Sequence, residues 1–385
     1  MSLNLKSLAF RLNIFCCLAS LAVGNPSLSN AEQDCIQAGR LVRQGAELAD
    51  GSAQEEKFYR EALQSCPNMA EAHHNLALVL YKAKKFDAAL EEINRAIEIK
   101  DEPSFRLALA ALEVEKGQLE SARGEYQRVV DADPRNLKAL QGLSAVFERM
   151  QDPKRALEVL AKARDIDANN LTTLFNLAVV NEKLGNAPEA ISSYERVIEL
   201  DSNHFDAAFH LGLALQRSGR LEESARMLVK AQQLRPDAPE VHKALGVVYE
   251  DLGDNDKAEL ALRKAIALDD KDVASRINLG VVLINKKQES LAEAVLKQAL
   301  GIEPNDARAL SALGWAQLEL GKYSDAQTAL EKAVALDSVN AYAHNNLGVL
   351  YQRLGKTEEA KREFQSALRF NPDLEAAKRN SAKLD

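Results

Sequence analysis

The residues that could carry chemistry in this chain are six histidines, four cysteines, paired acids and one Gly-Lys-Thr triplet. Their spacing argues against catalysis. His73 and His74 are adjacent, so they leave a helix on different faces and cannot chelate one ion together. His204 and His210 have no carboxylate at ligand spacing, and no metal or cofactor is expected. Gly355-Lys356-Thr357 matches the end of a phosphate-binding loop, but Leu350 stands where that loop needs its first glycine. No strand precedes it, so it reads as an ordinary turn. Glu91-Glu92 and Glu222-Glu223 fall at outward positions and read as solvated faces. No nucleophile, base and orienting group come together, and the chain reads as a non-enzyme.

The net charge is −8 over 385 residues, with no long basic run. That balance disfavours nucleic acid and anionic membrane surfaces as partners. Residues 1–31 read as a signal peptide. Lys6 and Arg11 give a positive start, and the apolar run from Ile14 to Val23 is too short to span a bilayer. Gly24, Asn25 and Pro26 break any helix. Ser29 and Ala31 are small residues at the −3 and −1 positions, which places cleavage before Glu32, with a cut after Gly24 or retention as an uncleaved anchor as the alternatives. Cys16 and Cys17 lie in the apolar run without the surroundings of a lipoprotein signal. No integral membrane span is expected once the signal is gone. The expected location is exported: periplasmic in a bacterium, otherwise secreted or in the secretory lumen. Asn170-Leu171-Thr172 is a glycosylation sequon, relevant in a eukaryotic source.

The elements that position these residues repeat. Asn-Leu-Ala or Asn-Leu-Gly recurs at residues 75, 176, 278 and 346, at separations close to multiples of 34. Units then begin at Ala70, Pro103, Leu137, Leu171, Phe205, Pro239, Val273, Ala307 and Ala341. Each reads as two amphipathic helices, for instance Ala70 to Ala83 and Phe86 to Ile99. Numbering each unit from 1, position 7 is Leu in all nine. Position 8 is small, from Ala77 through Ser144 to Gly348. Position 20 is small, from Ala89 to Ala360, and position 27 is Ala or Val. Position 24 is large, as in Tyr126, Tyr194, Leu262 and Phe364. Glycines such as Gly185 and Gly253 mark the turns, and prolines such as Pro236 and Pro304 close the units.

This pattern resembles the tetratricopeptide repeat family over residues 70–374, nine repeats in register. The resemblance implies an all-α solenoid of antiparallel helix pairs wound as a right-handed superhelix. The family's Trp at position 4 is missing: His73, Leu140, Leu174, His242 and His344 stand there. Residues 32–69 read as a degenerate capping repeat, in which Arg43 at position 8 and Glu55 at position 20 do not fit. Residues 375–385 read as a capping helix. Cys35, just before the first helix of the degenerate unit, and Cys66, ending its second, would be neighbours in a hairpin and are expected to form a disulfide.

What the resemblance implies for function is a scaffold or adaptor whose first helices line a groove for peptide segments or helices of other proteins. The alternative is an accessory subunit of an envelope assembly, polysaccharide export or glycosyltransferase machine. The clamp that binds chaperone tails is similar to a set with Asn at position 9, and here that position runs from Leu78 to Val349 without one. The expected groove carries Phe175, Val179, Phe209, Leu213, Val247, Ile277, Val281, Ile284, Trp315 and Tyr342. Asn176, His210, Lys243, Asn278 and Asn346 are interspersed, amides that can bond a peptide backbone while aromatic anchors supply affinity.

Overall fold

The computed structural model describes residues 29–384, so the basic start and apolar run of the expected signal peptide lie outside the described residues. The described residues form helices and no strand. The chain divides after Val146 into two compact units. The first holds α1 (Asn30–Leu48), α2 (Ala53–Ser65), α3 (Ala70–Lys82), α4 (Phe86–Ile99), α5 (Pro103–Glu115) and α6 (Leu119–Ala132). The helix α7 (Leu137–Arg149) runs across the division. The second holds α8 (Pro153–Ile166), α9 (Leu171–Leu184), α10 (Ala187–Leu200), α11 (Phe205–Arg217), α12 (Leu221–Leu234), α13 (Pro239–Asp251) and α14 (Asn255–Leu268). It continues through α15 (Val273–Asn285), α16 (Glu289–Ile302), α17 (Ala307–Glu319), α18 (Tyr323–Leu336), α19 (Ala341–Arg353), α20 (Thr357–Phe370) and α21 (Glu375–Ser381). The odd helices from α3 to α19 start at the nine residues where the sequence units start.

The small and large positions meet each other. A Cβ built on Gly246 at position 8 would lie 2.5 Å from Cγ of Leu262 at position 24. The same approach recurs at Gly212, Gly280 and Gly314 against Leu228, Leu296 and Leu330. At position 20, Ser224 replaces Ala, and its hydroxyl donates to the Gly212 carbonyl at 2.7 Å, so the buried oxygen is satisfied. Position 34 supplies the helix caps of the second unit. Asn170, His204, Asp272, Asp306 and Asn340 each accept from a first-turn amide of the following odd helix.

Where His or Arg stands at position 4, polar ties replace the missing Trp. Nε2 of His242 donates to the Pro236 carbonyl at 2.8 Å, while the Gln232 amide lies 3.3 Å from Nδ1. Nε2 of His73 lies 2.9 Å from the Pro67 carbonyl, and its Nδ1 lies 2.6 Å from Glu92. His344 repeats this with Ser338 and Glu363, and Arg106 pairs with Glu125. These side chains join the start of an odd helix to the preceding turn or to the even helix behind it. An indole does the same by packing.

The first hairpin departs from the sequence reading in three ways. Cys35 lies inside α1, not before it, because Ser29 and Glu32 form a capping box that starts the helix at Asn30. A cut before Glu32 would remove that cap. The close contact with the large residue of α2 is made by Gly45 against Tyr59, two residues beyond Arg43. Glu55 is 5% exposed and folds back to accept from the Gly51 amide at 2.6 Å, with the Tyr59 hydroxyl at 3.3 Å. An acid fits the small site because the turn supplies donors. Cys35 and Cys66 are joined by a disulfide with Cα atoms 5.0 Å apart, beside the buried Ala38, Ala62 and Ala72. At the other end, α21 is shorter than the expected capping helix, and Leu384 packs back on the last core cluster.

Candidate partner-binding face

Odd helices touch their odd neighbours at α1–α3–α5 in the first unit and from α11 to α21 in the second, as well as the even helices between them. Even helices show no matching contact with one another among the described residues. One face of each unit is therefore built by odd helices alone, and in the second unit it carries the side chains singled out from the sequence.

At α9 and α11 the face is aromatic and closed by a carboxylate. Phe175 stacks on His204 at 5.2 Å and meets Tyr194 and His210 edge-on at 5.8 and 6.1 Å. Phe209 lies parallel to Phe205 at 6.1 Å and edge-on to His210. Behind these rings, Glu182 accepts from the Tyr194 hydroxyl at 2.9 Å and from Arg217 at 2.5 Å. Burial pushes His210 below the ordinary histidine value, with Glu182, 3.8 Å away, acting against that. Burial and Glu182 push the Tyr194 phenol well up. Phe175 and Phe209 stay half-buried, each with part of its ring open.

Further along, Lys243 reaches Asp272 at 3.2 Å. Burial raises the Asp272 carboxyl, and Ser275 and Lys243 more than offset it, leaving it below the ordinary value. At α17 to α21 amides link the helices. Asn346 donates to the Ser311 hydroxyl at 3.4 Å, Asn345 donates to Asn346 at 3.3 Å, and Asn380 donates to Asn345 at 3.1 Å. Tyr342 is 63% exposed. Position 9 makes a half-buried apolar row of Val179, Leu213, Val247, Val281 and Trp315. Asn176 and Asn278 are half-buried, and their amides have no hydrogen-bond partner among the described residues.

Ile277 and Ile284 do not join this row. Ile277 is 5% exposed and packs with Val273, Ala299 and Ala309, and Ile284 is 7% exposed within another core cluster. The odd helices approach closely there, and an aliphatic side chain at position 5 or 12 is taken into the seam between repeats. His210 is likewise turned mostly into the ring cluster. Sequence reasoning passed over position 12 as a polar site. Glu182 and Arg217 are 35 residues apart, as are Glu148 and Lys183, whose charges lie 3.4 Å apart. Opposite charges at one unit plus one residue are the signal that could have found them. Among the described residues no group of three or more His, Cys, Asp or Glu could hold a metal. Among the described residues no helix is long and apolar enough to cross a membrane.

The comparisons agree with this architecture. The family model of the Cilia and flagella-associated protein 70 C-terminal domain matches residues 165–384, more than half of the chain. The Coatomer epsilon subunit model matches residues 53–213. No curated protein is similar in sequence. Among solved structures, the APC/C hetero-tetramer Cut9-Hcn1 is 15% identical with a TM-score of 0.52, over 92% of this chain and 88% of that one. MamA 41-end from Desulfovibrio magneticus RS-1 is 26% identical with a TM-score of 0.39, over 44% of this chain and 97% of that one. A thermophilic TPR protein of Thermus thermophilus is 21% identical with a TM-score of 0.42, over 47% of this chain and 98% of that one. The repeat geometry and the match over residues 165–384 together place the chain in the tetratricopeptide repeat family of the Cilia and flagella-associated protein 70 C-terminal domain.

Proposed function

We propose that this chain is a non-enzymatic adaptor that holds peptide segments of other proteins on the odd-helix face of its second unit. The observation that carries the reading is the half-buried apolar row at position 9, with the unpartnered amides of Asn176 and Asn278 beside it. An apolar row lowers the free energy of a bound segment by burying its side chains, and free amides satisfy its backbone. The partially open rings of Phe175 and Phe209 serve as anchors at one end, and Trp315 and Tyr342 at the other. We place the adaptor in an exported compartment, supported by the charged and apolar pattern of residues 1–31 and by the Cys35–Cys66 disulfide.

The test is capture of partners from the native envelope or secretory fraction by the purified chain. Phe209→Ala with Asn278→Ala is expected to weaken capture about tenfold, ~1.4 kcal/mol, with the helical spectrum retained. Capture that survives this pair and fails on Glu222→Lys with Glu223→Lys would move the site to the even helices. N-terminal sequencing of the chain from its native source reads the cleavage position, and an intact Met1 would contradict export by a cleaved signal.

A further inference from the structure

Positions 12 and 13 of successive odd helices face each other at a fixed offset, and the second unit fills this register step by step. Glu148 meets Lys183 at 3.4 Å, Glu182 meets Arg217 at 2.5 Å, and Gln216 donates to Asp251 at 3.0 Å. Each contact spans 35 residues. At the next step Glu250 stands at position 12, and the same offset places Asn285 opposite. No hydrogen bond or ion pair joins them, and Asn285 is exposed. Lys286, the next residue, is held elsewhere by Asp256 at 2.6 Å and Glu259 at 2.8 Å. Glu250 is half-buried and has no cation or donor among the described residues. Burial and neighbouring Asp251 push its carboxyl above the ordinary value, with no positive group acting against them.

The chain itself thus supplies the control. The two other position-12 acids of this register, Glu148 and Glu182, both have a cation at position 13 of the following repeat, and Glu250 does not. The vacancy lies on the odd-helix face beside Val247 and Val281 of the apolar row, and its excess charge is negative because Asp251 adjoins it. A partially desolvated carboxylate beside an apolar row is complementary to a cation carried next to apolar side chains. We infer that the face at α13 and α15 takes a peptide segment whose lysine or arginine, flanked by apolar residues, occupies at Glu250 the place that Arg217 fills at Glu182. This rests on the reading that the odd-helix face holds peptides, and it adds which peptides.

The test uses the full chain with its disulfide intact and a phage-displayed random peptide library. Selections are run on wild type, Glu250→Gln and Asn285→Arg. The second variant leaves the acid in place and supplies the cation from the chain. Wild type is expected to enrich Lys or Arg next to apolar residues, and both variants are expected to lose that enrichment about tenfold while keeping the apolar preference. Circular dichroism checks that both fold. A basic preference that survives in either variant overturns the inference, as do selected peptides without one, and in both cases the groove reading stands. A folded wild-type chain that selects no peptide overturns both.

Discussion

Glu182 on α9 and Glu250 on α13 hold the same position two repeats apart, and their surroundings differ in what the chain provides. Around Glu182 the chain completes the site, with the Tyr194 hydroxyl at 2.9 Å, Arg217 at 2.5 Å, and His210 close by. Around Glu250 it supplies Asp251 and, across the register, an exposed Asn285. The backbone is the same in both, so the difference lies in the side chains, with Arg217 against Asn285 at position 13, Tyr194 against Leu262 at position 24 and His210 against Asn278 at position 6. Repeats of this kind fix the frame with positions 7, 8, 20, 24 and 27 and leave the odd-helix face free to differ. A closed step there serves stability, and an open step serves recognition.

The largest expected effect comes from breaking the closed step. Glu182→Ala leaves the phenol of the buried Tyr194 without its acceptor and frees Arg217. It should lower unfolding stability by about 1–2 kcal/mol, read as a lower denaturant midpoint. A loss as small as that of an exposed acid such as Glu222 would mean that the closed step is not structural.

A smaller gain is expected at the turn that ends α15. Lys287 adopts φ 59°, the left-handed conformation that Gly185 supplies after α9 with φ 77°. Lys287→Gly should raise stability by about 0.5–1 kcal/mol, since relief of the left-handed strain exceeds the added flexibility of the unfolded chain. An unchanged or lower melting temperature would contradict this.

The smallest effect belongs to the open step. The folded chain holds the Glu250 proton more tightly than the unfolded chain does. Its favourable contribution is therefore present below the ordinary value of 4.5 and is lost as pH rises through the raised folded value. Glu250→Gln should be more stable than wild type at neutral pH by a fraction of a kcal/mol, about 0.5. The gap should close as the pH is taken below 4.5. A gap that widens on acidification would reverse the sign.

The frame was legible in the sequence because each unit repeats its contacts. Leu at position 7, the small residues at 8 and 20 and the large one at 24 read directly as a seam, and Gly246 against Leu262 is that seam. The face was legible only in outline. Counting positions put Ile277 with Val281, but close approach of the odd helices takes an aliphatic side chain at position 5 into the core, while Lys243 at that position stays out. Periodicity gives a residue's direction and not its depth. The register from position 12 to position 13 links residues of different repeats, so a pattern read within one unit does not reveal it. The first hairpin was misread at Cys35 for a related reason: its helix start is set by the local Ser29–Glu32 cap and not by the repeat.

The most direct test of the account is a double-mutant cycle on binding, measured by calorimetry with one selected peptide. The peptide is used with its lysine and with that lysine changed to alanine, against wild type and Asn285→Arg. If Glu250 receives its cation from the partner, the alanine peptide binds wild type about tenfold more weakly, and the two peptides bind Asn285→Arg within about twofold of each other. Equal losses on both chains would show that the lysine docks elsewhere and that the open step at Glu250 plays no part in recognition.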